Sequence, residues 1–264
     1  TILSETPETK QTLLFSATMN KEVERISKNY LTNPHRISVG SINAVKKNIK
    51  HEYYVVNYRQ KKEALKRLID ANPNQYSIIF CRTKMETQDV ADFLMQNGYA
   101  ADALHGDLSQ AQRDTVMKKF RLKNIDILVA TDVAARGLDV NSLTHVIHYS
   151  LPDDPEVFVH RSGRTGRAGK DGISMALIKP EETRKLSQIK GQTKIEIVEK
   201  QIPKGEDIIK AQVAGVFEQL FTEHEDFFDF DDSLIPDLSN FSKEELVHQL
   251  LQFQLKDLAL YYKN

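Results

Sequence analysis

Residues 160–167, His-Arg-Ser-Gly-Arg-Thr-Gly-Arg, combine four basic side chains with two glycines in eight positions. Arginine is planar, permanently charged and able to form paired hydrogen bonds, so arginines at this spacing suit phosphate oxygens that gain charge during a reaction. The glycines allow the backbone to turn, so that several guanidinium groups can point in one direction. The segment therefore predicts an anion site, with an ordinary solvated basic loop as the alternative.

The elements around this segment alternate between short apolar runs and helical patterns. Such alternation predicts one α/β domain, a parallel sheet with helices on both faces. The predicted strands are Tyr53–Val56, Ser77–Cys81, Ala100–Leu104, Ile125–Ala130, His145–His148 and Ile173–Ile178. The predicted helices between them are Lys61–Asp70, Thr83–Gln96, Ser109–Arg121 and Pro155–Ser162. Capping boxes mark the starts of the second and third of these helices.

Two flanks lie outside this α/β domain. Residues 1–40 hold one strand-like run, Thr12–Phe15, and a helix over about residues 21–30, which together cannot bury a core. We expect them to end a preceding domain of a longer protein, with a linker at residues 41–48. Residues 204–264 predict a small all-α extension with helices at Ile208–Phe221 and Lys243–Tyr262, whose many apolar side chains we expect to be buried against each other or a partner.

Charge is distributed unevenly along the 264 residues, whose formal net charge is -1. Residues 1–203 carry +7 and residues 204–240 carry -8. A basic body fits a polyanionic partner, whereas the acidic extension does not. The single cysteine, Cys81, excludes an intrachain disulfide and a multi-cysteine metal site, and it suits a reducing cytoplasm. Since no apolar run has the length of a membrane span, we expect no membrane partner.

Five sequence motifs stand in order along the chain. They are Ser16-Ala17-Thr18, IIFCRT at 78–83, HGDLSQAQR at 105–113, ATDVAARGLD at 130–139 and HRSGRTGR at 160–167. In order, spacing and wording they resemble motifs III, IV, IVa, V and VI of DEAD-box ATP-dependent RNA helicases, over about residues 1–200. The resemblance implies that residues 49–203 are the second RecA-like helicase domain and that residues 1–40 are the end of the first.

The same resemblance implies a nucleotide site that is shared with the first domain. Arg164 and Arg167 would serve as arginine fingers toward an ATP that the first domain binds. Arg161 would couple the nucleotide to domain closure, with a structural salt bridge as the alternative. The other residues implied at this site are Gly137 and Asp139 of motif V and Ser16 and Thr18 of motif III.

An RNA-binding surface is implied by motifs IV, IVa and V. Hydroxyl groups, helix amino termini and arginines are suitable readers of a nucleic-acid backbone. The implied RNA contacts are Arg82, Gly106, Asp107, Gln110, Arg113, Thr131, Asp132 and Arg136. For Arg113 an ordinary surface charge remains the alternative.

Two motifs of a complete helicase are absent from the sequence. It contains neither a phosphate-binding G-x-x-x-x-G-K-[ST] loop nor an Asp-Glu-Ala-Asp box. The cofactor of the parent protein would be ATP with Mg²⁺, and the metal ligands would lie outside this chain. We therefore predict that the chain alone does not hydrolyse ATP.

The partners expected from the resemblance are RNA, gripped by its backbone, and a first RecA-like domain in the same polypeptide. The extension at 204–264 would form a homodimer or pack within the chain, and both alternatives stay open. Two other functions remain as rivals, a superfamily 2 DNA helicase fragment and a stand-alone RNA-binding or dimerisation module.

Overall fold

The computed structural model describes residues 5–7, 9–16, 19, 21–37, 48–135, 143–167, 169–222 and 238–263. Within them one sheet is formed, and every pair of neighbouring strands runs parallel. Its strands are β1 (Ile49–Val55), β2 (Ser77–Cys81), β3 (Ala101–Leu104), β4 (Ile127–Thr131), β5 (His145–His148), β6 (Gly172–Ile178) and β7 (Val198–Glu199). Their order across the sheet is β3-β4-β2-β5-β6-β1-β7.

Helices connect and follow these strands. They are α1 (Lys21–Tyr30), α2 (Lys61–Asp70), α3 (Lys84–Gln96), α4 (Gln110–Arg121), α5 (Asp132–Ala135), α6 (Pro155–Ser162), α7 (Thr183–Thr193), α8 (Gly205–Phe221) and α9 (Lys243–Tyr262). Side-chain caps fix where four of them begin, because a cap satisfies a backbone N–H that the first helical turn leaves unpaired. These caps are Thr83 for α3, Ser109 for α4, Asp154 for α6 and Ser242 for α9.

The two faces of the sheet bury alternate residues of each central strand. In β2, Ile79 and Cys81 pack in one apolar cluster with residues of α2 and α3. Ile78 and Phe80, on the opposite face, pack in a second cluster with residues of α4. A third cluster holds Phe158 of α6 with residues of α7. Helices therefore cover both faces, which confirms the predicted α/β class.

The predicted strands and helices of the α/β domain are confirmed within a few residues, while β7 and α7 were not predicted. The predicted strand at Thr12–Phe15 is wrong, since residues 11–16 form no strand. An extended segment becomes a strand only when a neighbour pairs with its backbone, and none of the described residues does so here. Phe15 is accordingly 88% exposed.

The helical extension packs within the chain against α2. The hydroxyl of Tyr262 in α9 donates to Asp70 Oδ2 at 2.6 Å, and Lys66 Nζ lies 2.7 Å from the same oxygen. The Lys66 ammonium group also stands over the ring of Tyr262, with 5.2 Å to the centroid. From α8, Gln212 Nε2 donates to the carbonyl oxygen of Asp70 at 2.6 Å.

Other apolar residues of the extension remain exposed. Phe221, Leu250 and Phe253 are 82%, 62% and 87% exposed, so their predicted burial within the extension is wrong, and burial against a partner stays a prediction. Phe227, Phe228 and Phe230 lie outside the described residues. None of the helices described has the length and apolar character needed to cross a membrane.

Candidate nucleotide and RNA interface

The candidate site lies at the edge of the sheet where the parallel strands end. Because all paired strands run in one direction, the loops that follow β3, β4, β2 and β5 leave from adjacent positions along this edge. The loops after β3, β4 and β2 each carry part of a motif, and the loop after β5 leads into α6, the helix in which motif VI begins. Gly106 and Asp107 follow β3, Thr131 ends β4, and Arg82 follows β2.

A bidentate ion pair joins motif V to motif VI. Arg161 Nε and Nη2 donate to the two carboxylate oxygens of Asp132 at 2.6 and 2.7 Å. Arg161 Nη1 donates to the carbonyl oxygen of Ser150 at 2.7 Å, and its guanidinium carbon stands 5.0 Å from the centroid of the Phe80 ring. Arg161 is 3% exposed. The sequence suggests two roles for Arg161, coupling the nucleotide to domain closure or a structural salt bridge. In the structure Arg161 makes the salt bridge, with Asp132.

Asp132 is therefore engaged within the domain and is not an open contact for the RNA backbone. Both of its oxygens accept hydrogen bonds from Arg161, although 36% of its side chain remains exposed. At the preceding residue, the hydroxyl of Thr131 accepts from the backbone N–H of Ala134 at 3.4 Å, at the start of α5. The ion pair fixes the amino end of α5 relative to α6.

Arg164 and Arg167 lie together beyond the carboxyl end of α6. Each donates from Nε to a carbonyl oxygen four residues earlier, of His160 at 3.4 Å and of Gly163 at 3.3 Å. Burial, and then the positive charge of Arg167, lower the pKa of Arg164 below its usual value. The structure thus places two half-buried guanidinium groups close enough to repel each other.

The turn between these arginines is packed tightly against the sheet. The hydroxyl of Thr165 donates to the carbonyl oxygens of Leu143 and Thr144 at 2.5 and 3.0 Å. Gly166 has φ +63°, and a Cβ at this position would lie 2.6 Å from Cγ1 of Ile49. Glycine is required here both for the backbone conformation and for the close approach of β1.

A buried polar cluster joins α6 to strands β5 and β6. It was not predicted from the sequence. His148 Nε2 lies 3.2 Å from Ser162 Oγ and 3.1 Å from Ser174 Oγ, and the two hydroxyls are 2.9 Å apart. The ring of His148 stacks on Phe158 with centroids 4.2 Å apart. Burial lowers the pKa of His148 well below its usual value, so the ring is neutral. Of these residues, Ser174 stands within the apolar run of β6, and this polar interruption was the available signal in the sequence.

The residues of motif IVa form an exposed end of the edge. Asp107 and Lys84 form an ion pair at 2.9 Å, and Gln110 Nε2 donates to Asp114 at 2.9 Å. Gly106 has open space where a Cβ would stand. Arg113 Nη2 donates to the carbonyl oxygen of Ala134 at 3.1 Å, so this half-buried arginine connects α4 with α5.

On the other side of motif V, Arg82 is exposed and carries an ion pair. Its Nη2 lies 2.6 Å from Asp153 Oδ2, and its backbone N–H donates to Glu86 at 2.7 Å. Lys185 Nζ of α7 lies 2.6 Å from the second oxygen of Asp153. Neither Asp153 nor Lys185 belongs to a motif, and the sequence interpretation did not select them.

The remaining predicted site residues are either exposed or outside the part of the chain that the structure describes. Ser16 is exposed, and His160 is exposed on α6. The predicted residues Thr18, Arg136, Gly137 and Asp139 lie outside the described residues. Among the residues that the structure describes, no group of three or more His, Cys, Asp or Glu side chains could hold a metal ion.

Comparison with known proteins identifies this arrangement. Residues 60–169 match the family model for the helicase conserved C-terminal domain. A DEAD-box ATP-dependent RNA helicase CshA of Bacillus cereus is 42% identical over 219 residues, which are 83% of this chain and 42% of the relative. The chain thus spans less than half the length of the curated relatives it matches.

Two solved structures share the fold. The C-terminal domain of the DEAD-box protein Dbp5 is 30% identical with a TM-score of 0.56, and the match covers 61% of this chain and 94% of that domain. Dbp5 of S. cerevisiae bound to RNA and ADP BeF3 is 28% identical with a TM-score of 0.71, and the match covers 84% of this chain and 57% of that one. With its sheet order and its ordered motifs, this chain belongs to the DEAD-box family and carries the C-terminal helicase domain of a DEAD-box RNA helicase.

Proposed function

We propose that this chain is the half of an ATP-dependent RNA helicase that grips the RNA backbone and supplies arginines to a nucleotide. In the parent protein, a first RecA-like domain would bind ATP, and this domain would close upon it. The observation that carries the proposal is the ion pair between Arg161 and Asp132. It ties α6, the helix that leads into Arg164 and Arg167, to the end of β4, where RNA contacts are proposed.

Arg164 and Arg167 are proposed to contact the ATP phosphates. Two half-buried guanidinium groups that repel each other would be stabilised by a polyphosphate, because the added negative charge removes the repulsion. ATP would supply the phosphoryl group, and these residues would stabilise the charge that grows on it. Arg161 is proposed as a positioning residue, and Gly137, Asp139, Ser16 and Thr18 keep their proposed places at the nucleotide.

RNA contacts are proposed along the strand ends. Gly106, Gln110 and Arg82 are exposed there, and Thr131 stands half-buried between them. These groups would reach phosphates and 2′-hydroxyls rather than base edges, so little sequence specificity is expected. The Dbp5 structure that contains RNA supports this assignment, because the match covers most of this chain. Asp107, Arg113, Asp132 and Arg136 complete the proposed set.

The domain organisation is proposed as well. Residues 1–40 would complete the first RecA-like domain, residues 41–48 would link it to the domain at 49–203, and residues 204–264 would be the helical extension. Exposed apolar side chains of the extension support a homodimer, while its contacts with α2 support packing within the chain. The buried, unbridged Cys81 fits a reducing compartment such as the cytoplasm.

The substrate class is tested by binding of single-stranded RNA and of DNA with the same sequence, followed by fluorescence anisotropy at low salt. We expect RNA to bind more tightly, because only RNA offers 2′-hydroxyls to the strand-end residues. Gln110→Ala should weaken RNA binding, while Gln96→Ala, an exposed glutamine at the far end of α3, should not. Equal binding of DNA would favour the DNA helicase, and binding without any ATP-dependent change after a first domain is added would favour a stand-alone module.

A further inference from the structure

Two cations from different elements meet on one exposed carboxylate beside the proposed RNA surface. Arg82 follows β2 and Lys185 lies in α7, and each contacts a different oxygen of Asp153 at 2.6 Å. The Asp153 side chain is 70% exposed, and that of Arg82 is 60% exposed. Lys185 is 22% exposed, so a ligand reaches the cluster mainly from the side of Arg82 and Asp153.

The position of this cluster continues the line of proposed RNA contacts. The strands that end nearby stand in the order β3, β4, β2, β5, with motif IVa at the first, motif V at the second and Arg82 at the third. Neighbouring strands lie about 4.8 Å apart, so these four strand ends span roughly 14 Å. A single-stranded RNA that follows these strand ends from Gly106 to Arg82 would reach Lys185 next.

We propose that Arg82 and Lys185 form a binding site for an RNA phosphate, and that Asp153 occupies this site when RNA is absent. The inference rests on the proposed RNA-binding function. A phosphodiester can accept the same hydrogen bonds as a carboxylate, and arginine and lysine are its usual ligands. Asp153 thus competes with RNA and lowers its affinity.

Displacing Asp153 from this site costs little free energy. Ion pairs between exposed side chains contribute at most about 1 kcal/mol, because water screens them and the side chains lose freedom. Lys185 also donates to the carbonyl oxygen of Leu151 at 3.1 Å, which keeps its ammonium group at the site after Asp153 moves away. The lowered pKa of Asp153, caused first by its hydrogen bond with Lys185 and also by Arg82, agrees with the positive field that a phosphate would meet.

The neighbouring residues allow clean variants. The cap of α6 is Asp154, so Asp153→Asn removes the competing charge without removing the cap. A matched control for Lys185→Ala is Lys190→Ala, since Lys190 lies one and a half turns further along α7, over the ring of Tyr53. Both alanine variants lose one positive charge from the same helix.

The test measures the affinity of the full 264-residue chain for a short single-stranded RNA between low and moderate salt. One lost phosphate contact should weaken binding about 5-fold at 0.1 M salt and reduce the slope of log K against log salt by about 0.7. We expect this of Lys185→Ala and not of Lys190→Ala. Asp153→Asn should strengthen binding, and Lys185→Ala should cost more affinity in the Asp153→Asn background than in the wild type.

Three results would overturn the inference. If the wild type binds RNA and Lys185→Ala matches Lys190→Ala, the phosphate site is absent while the proposed function stands. If Asp153→Asn leaves the affinity unchanged, Asp153 is not a competitor. If the wild type binds no RNA under any condition, the proposed function fails, and the inference fails with it.

Discussion

The ion pair between Arg161 and Asp132 gives the sharpest prediction on stability. In Arg161→Lys the positive charge is kept, but the planar fork that contacts both oxygens of Asp132 and the carbonyl oxygen of Ser150 is lost. A lysine ammonium group can replace one of these three hydrogen bonds. The change therefore tests the geometry of the pair and not its charge alone.

The expected loss follows from the contacts. A hydrogen bond to a charged group contributes about 1.5–3 kcal/mol, and breaking a fully buried ion pair costs about 3–5 kcal/mol. Asp132 is partly exposed, so water compensates some of the loss and the lower part of the range applies. We expect Arg161→Lys to lower the free energy of unfolding by about 2 kcal/mol, and Arg161→Met by about 3 kcal/mol.

Urea unfolding followed by circular dichroism measures this loss, with an unchanged m-value as the sign that the unfolded state is the same. Arg82→Lys is the matched control, because its ion pair with Asp153 is exposed to solvent, and we expect a change below about 1 kcal/mol. If Arg161→Lys were as stable as the wild type, the ion pair would not be the structural connection described above.

Three further predictions concern the fold. Tyr262→Phe should lower the free energy of unfolding by about 1.5–3 kcal/mol, because the buried carboxylate of Asp70 loses a hydrogen-bond donor. Tyr261→Phe removes an exposed hydrogen bond to Glu63 and should cost less than about 1 kcal/mol. Urea unfolding of the two variants measures the difference. His51 and His145 have pKa values of about 4 when folded, against 6.5. These rings stay neutral when folded but take up protons when unfolded, so stability should fall from pH 6.5 towards pH 4, by up to about 3 kcal/mol for each ring. Unfolding midpoints across this range, with His51→Asn as comparison, should show a smaller fall in the variant. Gly166→Ala should lower the melting temperature, because its Cβ would overlap β1, and an unchanged melting temperature would contradict the packing described for this turn.

The central elements of the fold could be predicted because their signals are local. Ser77–Cys81 is a short apolar run, and the capping box at Ser109 marks a helix start, so neither depends on distant residues. In contrast, β7 has two residues that are both exposed, and it exists only because β1 pairs with it. A strand of this kind carries no pattern of its own.

The candidate site could be predicted only in part, for a related reason. The motifs predict Arg161 and Asp132 as separate site residues. The ion pair between the two residues depends on the tertiary contact between α6 and the end of β4, which the motifs do not show. Lys185 and Asp153 lie outside every motif, and only the folded chain brings them to Arg82. The docking of Tyr262 on Asp70 joins residues 192 positions apart, which periodicity within one helix cannot show.

The central claim, that Arg164 and Arg167 act on a nucleotide held by another domain, is tested most directly by complementation. The chain is mixed with a separately expressed first domain of the Bacillus cereus relative, and ATP hydrolysis is measured with and without RNA. We predict no hydrolysis by the chain alone, RNA-stimulated hydrolysis in the mixture, and loss of that stimulation with Arg164→Ala but not with Arg121→Ala, an exposed arginine outside the motifs. RNA-stimulated hydrolysis by the chain alone, or an undiminished rate in the mixture with Arg164→Ala, would contradict the account.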